Sequence, residues 1–180
     1  MISSNREVVI QSKELLALSP LRNLGARVGV STGPINSTWP SANRAIFVPF
    51  SPIEDITVTR ITVLPGSTPA NNVDVGLYES NGTRLVSSGS TAAGGFSASV
   101  PTSINISDTV LYAHTMYYVA MAVDVAAASG WSLVNLGASM PFPLLGIRFQ
   151  NSAFPLPSTA TFGADDFAML LAPDVALLLY

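Results

Sequence analysis

The sequence contains no cysteine, one histidine, a single lysine and few charges of either sign. Without thiols there is no disulfide framework and no thiolate metal site, so packing and association must hold the chain together. One histidine and no cysteine also exclude the usual zinc sets, which draw three or four ligands from His, Cys and carboxylates. Charged residues make up 11% of the chain and hydrophobic residues 48%, whereas about a quarter of the residues are charged in an ordinary globular domain. A surface so poor in charge is partly built to face protein rather than bulk water.

Long apolar runs are missing as well. The most apolar stretch, Phe167 to Tyr180, is interrupted by Pro173 and Asp174, and the N-terminus has Arg6 and Lys13 but no continuous apolar segment. Neither a membrane span nor a signal peptide is expected. The cations, Lys13 and seven scattered arginines, leave a net charge of -3. No basic stretch could neutralise a run of phosphates or hold an acidic membrane, so nucleic acid is not an expected partner.

Thirteen glycines and thirteen prolines punctuate the chain. In residues 1–40, Glu14 to Leu18 could form one helical turn or a short strand, but Pro20, Gly25, Gly29, Gly33, Pro34 and Pro40 forbid anything long. This segment reads as an extended N-terminal arm, lying either along its own domain as a first strand or on a neighbouring subunit. Residues 41–180 read as one domain. From Arg44 onward, short runs rich in Val, Ile, Thr, Phe and Tyr alternate with Gly, Pro, Asn and Ser, the pattern of an all-β antiparallel sandwich.

Particular segments sharpen that expectation. Ile46, Val48 and Phe50 alternate before Pro52, and Ile56 and Val58 share a face from which Ile61 and Val63 have slipped by one. The slip at Thr59-Arg60 predicts a bulge or a strand buried on both faces. Val73, Val75 and Leu77 point one way, with Asp74, Gly76 and Tyr78 opposite, which predicts a half-buried strand. Asn81-Gly82 then favours a type I′ turn and an antiparallel return from Thr83 to Val86. Tyr117, Val119, Met121 and Val123 alternate with Tyr118, Ala120, Ala122 and Asp124, whose small members leave room for close packing. Further strands are expected within Ile104–Leu111, Trp131–Leu136, Leu145–Phe149, Thr159–Phe162, Phe167–Leu171 and Ala176–Leu179.

Three segments, Val73 to Gly82, Tyr117 to Val123 and Pro155 to Phe162, together resemble a β-sandwich recurrent in structural proteins of tailed bacteriophages, notably fibre, minor tail and head-decoration proteins. In such domains the first is a strand running into a hairpin tip, the second a central strand, and the third a loop leading to the closing strand. The resemblance spans roughly Arg44 to Tyr180. It implies a jelly-roll-like sandwich in a virion, assembled in the host cytoplasm and released by lysis, with copies of itself and other virion proteins as partners and a homotrimer as the first expected assembly.

The motifs for chemistry are weak beside this reading. Gly29-Val30-Ser31-Thr32-Gly33 fits G-x-S-x-G, but Pro34 and Pro40 leave no helix for a nucleophile elbow, and His114 would have to be the base. Glu54-Asp55, Asp165-Asp166 and Asp174 read as solvated loop acids, with calcium ligation as the alternative. No pair of carboxylates can be set across a cleft, and Gly94-Gly95 is a turn rather than a phosphate loop. The expectation is therefore a non-enzymatic structural protein without cofactor or metal. The alternative is a carbohydrate- or receptor-binding module, since sugar rings stack on exposed aromatics. Trp39 and Trp131, both beside turn residues, are the candidates for that platform, ahead of Tyr112, Tyr117 and Tyr118.

Overall fold

A computed structural model describes residues 34–126, 130–135, 146–163, 171–173 and 175–179. Among them the chain forms strands and loops without a helix. The strands are β1 (Pro34–Ser37), β2 (Ala45–Phe50), β3 (Ile56–Val63), β4 (Asn72–Glu79), β5 (Arg84–Ser87), β6 (Thr91–Ala92), β7 (Thr102–Leu111), β8 (Tyr117–Val123), β9 (Trp131–Asn135), β10 (Arg148–Gln150), β11 (Leu171–Pro173) and β12 (Val175–Leu179). All pairings are antiparallel. One sheet runs β10-β2-β8-β4-β5 with β6 also on β4, a second runs β12-β3-β7, and a third β1-β9-β11. The architecture is an antiparallel β-sandwich.

The alternation read from the sequence builds its interior. Ile46 and Val48 of β2, Val75 and Leu77 of β4, and Val119 and Met121 of β8 meet Val58, Ile61 and Val63 of β3 and Ile104 and Leu111 of β7 in one buried cluster. The phase slip in β3 is a bulge: its register against β7 shifts between Val58 and Arg60, which returns Ile61 and Val63 to the face that Val58 occupies. A one-residue slip without it would have turned both toward solvent.

Two expectations change. β4 is buried along both faces rather than one, with Asp74, Gly76 and Tyr78 as enclosed as Val73, Val75 and Leu77. The cover is residues 153–162, which lie across the outer face of the sheet and enclose Ala45, Phe47, Tyr78, Tyr118, Ala120 and Ala122 together with Ala153, Leu156 and Ala160. The Asn81-Gly82 turn also differs in type. Gly82 has the positive φ, 91°, its N–H donates to the Glu79 carbonyl at 3.0 Å, and the Glu79 N–H reaches Thr83 at 2.9 Å. A longer turn closed by an αL glycine therefore replaces the two-residue type I′ turn, while the return strand β5 forms as expected.

The last residues of the expected arm, 34–40, fall among those described. β1 pairs with β9, setting Ser37 opposite Trp131, and the Trp39 ring is fully buried. Residues 34–40 thus belong to the sandwich, while the rest of the expected arm lies outside the described residues.

Candidate functional site

The two tryptophans are not a platform. Trp39 and Trp131 are 0% and 1% exposed and belong to the same core cluster as Leu133 and Ile147. The Trp39 indole N–H donates to the Arg44 carbonyl at 2.9 Å. Neither ring offers a face to a sugar, and the reason is the β1–β9 pairing. It sets Trp131 opposite Ser37, a long-range contact that the residues beside Trp131 do not announce, and Trp39 follows two residues after Ser37.

Of the acids singled out, Asp165, Asp166 and Asp174 lie outside the described residues, as does Ser31. Among the described residues no group of three or more His, Asp and Glu side chains comes together. His114 is exposed and sits in a left-handed conformation, φ 57°.

Two arrangements stand out. The first is enclosed. Asp74, fully buried, accepts the Ser87 hydroxyl at 2.7 Å and the Leu156 N–H at 2.9 Å, and the Ser88 hydroxyl lies 3.2 Å away. The Tyr78 hydroxyl donates to the Pro157 carbonyl at 2.6 Å, the Arg84 guanidinium reaches the Leu156 carbonyl, and the Arg84 N–H meets Ser158 at 3.0 Å. Burial pushes the Tyr78 phenol well above its ordinary range, with Arg84 pulling the other way and Asp74 adding to the rise. The phenol stays protonated and serves as a donor.

These bonds fasten residues 153–162 to the sheet. Phe162 completes the cover edge-on to Phe47, with ring centroids 5.2 Å apart, and Phe47 meets Tyr78 in the same manner at 5.1 Å. No buried side-chain nitrogen or oxygen among the described residues lacks a partner. A cluster whose buried polar atoms are all hydrogen-bonded holds the cover rigidly against the sheet.

The second arrangement is open. Residues 51–55 carry the chain from β2 to β3, and residues 112–116 carry it from β7 to β8, so both loops pass between sheets at one end of the sandwich. They are tied together. The Ala113 N–H donates to the Asp55 carboxylate and the His114 N–H to the Pro52 carbonyl, each at 2.8 Å, and the Tyr112 N–H reaches the Tyr117 hydroxyl at 3.1 Å. On this braced wall Ile53 is 74% exposed, Tyr112 62% and Met116 46%, with Val110 beside them at 53%. Glu54 and Asp55 are exposed on the same loops, and Glu79 stands opposite Tyr117 at the end of β4.

Tyr112 was among the aromatics that the sequence offered for ligand contact. Ile53 and Met116 were not, because a lone apolar residue in a loop carries no periodic signal; the available hint was that Pro52 and Thr115 place them outside any strand run.

Compared with known proteins, the chain matches no family model and no curated protein sequence.

Proposed function

We propose that this chain is a non-enzymatic structural component of a bacteriophage virion, of tail, fibre or head-decoration type, that works by assembling with copies of itself and with other virion proteins. The phage setting and the jelly-roll-like strand order rest on the resemblance of Val73–Gly82, Tyr117–Val123 and Pro155–Phe162. The observation that carries the assembly role is the end wall. Ile53, Tyr112 and Met116 stand exposed together on loops held by backbone hydrogen bonds, in a chain with 11% charged residues. Apolar side chains on a rigid, preformed surface lose little freedom when covered, which favours association. Light scattering on the purified full chain over a range of concentrations tests this. A trimer or larger closed assembly is expected, and a monomer at every concentration would refute the role.

A second reading, a carbohydrate- or receptor-binding module, is favoured by one feature of the same wall, the exposed Tyr112 ring. Here Tyr112 takes the place that the buried tryptophans cannot fill. Glycan-array binding lost in Tyr112→Ala would support it, and an array that captures nothing would remove it.

A further inference from the structure

We infer that the end wall formed by residues 51–55 and 110–116 is the docking site for the N-terminal residues 1–33 of a neighbouring copy. This rests on the assembly role proposed above and names the contact that would produce it.

Charge favours this occupant. The loops and strand end that form the wall contribute Glu54, Asp55 and Glu79 and no lysine or arginine, and Asp108 follows on β7. Residues 1–33 carry Arg6, Lys13, Arg22 and Arg27 against Glu7 and Glu14, four cations against two acids, or +2. The remaining 147 residues hold four cations against nine acids, or -5. The segment is thus the part of the chain whose charge is opposite to that of the wall. Two walls meeting face to face would set acid against acid, so the wall is not complementary to itself.

Apolar matching and reach favour it too. Val8-Val9-Ile10 and Leu15-Leu16 stand between the cations of the segment, as a partner for Ile53, Tyr112 and Met116 ringed by acids would require. The segment joins the described strands at Pro34, the first residue of β1, and 33 residues span on the order of 100 Å when fully extended. That is several times the length of the ten-residue β7, so the wall of an adjacent copy is well within range.

A charge exchange on the full chain tests the inference. Glu54→Lys with Glu79→Lys on the wall, and separately Arg6→Glu with Lys13→Glu on the segment, should each raise the concentration at which assembly is half complete by on the order of tenfold. Combining the two sets should restore assembly, and thermal melts confirm that each variant is folded. In parallel, mixed light- and heavy-isotope copies are cross-linked. Links between the segment of one copy and residues 51–55 or 110–116 of the other are expected. Variants that assemble as the parent does, a combination that fails to recover, or links confined to single copies would overturn the docking site while leaving the assembly role standing. A parent chain that is monomeric at all concentrations would instead refute the assembly role itself.

Discussion

Two of the three sheets of this sandwich finish their outer faces in opposite ways. The outer face of the β10-β2-β8-β4-β5 sheet carries Phe47, Tyr78, Tyr118, Ala120 and Ala122, and the chain covers it with its own residues 153–162. The outer face of the β12-β3-β7 sheet carries Arg60, Ser103 and Asn105, exposed, with Thr62 and Ser103 sharing a hydrogen bond at 2.8 Å. Those polar side chains face water. Ile53, Tyr112 and Met116 at the end of the sandwich are exposed and have no such cover among the described residues.

The comparison can be broken at the covered sheet, and the largest effect is expected beneath it. Trp131→Ala empties a fully enclosed site on β9, opposite Ser37 of β1 and bridged to Pro65, and should cost about 3–5 kcal/mol in urea-induced unfolding. A cost under about 1 kcal/mol would mean that the indole is not in the core. The same expectation shows why alanine at either tryptophan cannot serve as a clean test of sugar binding.

Removing the anchor of the cover comes next. Asp74→Ala leaves the Leu156 N–H and two serine hydroxyls without their shared acceptor, a loss of about 3 kcal/mol. Hydrogen exchange should rise at Leu156 and its neighbours more than in β3 or β7; a uniform rise would argue against a local anchor. Gly76→Ala attacks the same face by crowding. A Cβ there would lie 2.5 Å from the Val86 carbonyl oxygen and 3.1 Å from Leu156 Cδ1, and a backbone oxygen held in the β4–β5 ladder has little room to yield. A cost of about 1–3 kcal/mol is expected from the unfolding midpoint.

Tyr78→Phe should cost only about 1 kcal/mol for the lost bond to Pro157, but it changes the response to pH. Because the folded-state pKa of Tyr78 is raised, the folded chain holds this proton more tightly than the unfolded one. The associated stability is complete below the ordinary tyrosine pKa of about 10 and is lost as pH rises beyond it. Thermal melts above that pH should fall less steeply in the phenylalanine variant, and parallel slopes would contradict the assignment. On the uncovered sheet, Thr62→Ala should change stability by no more than about 0.5 kcal/mol.

The inner face of the sandwich was legible because alternation has a fixed period: Val73, Val75 and Leu77, or Val119 and Met121, identify their face without knowledge of the partner strand. The β3 bulge was legible for the same reason, as an interruption of that period. The outer cover was only half legible. Ala120 and Ala122 signalled close packing, but Asp74 and Tyr78 read as solvent-facing because their enclosure comes from Leu156 and Pro157, about eighty residues away in sequence. Trp39 and Trp131 misled in the same way, since turn residues beside an indole say nothing about the core cluster that both join. The end wall was the least legible feature, because it exists only where two loops from different sheet crossings are hydrogen-bonded together.

The most direct test of the account is hydrogen exchange on the full chain, compared between a concentration at which it is dilute and one at which it is associated. The account predicts that association slows exchange in residues 51–55 and 110–116 and leaves the polar outer face of β3 and β7 unchanged. Association that protects Arg60, Ser103 and Asn105 while residues 51–55 and 112–116 exchange as fast as before would contradict it.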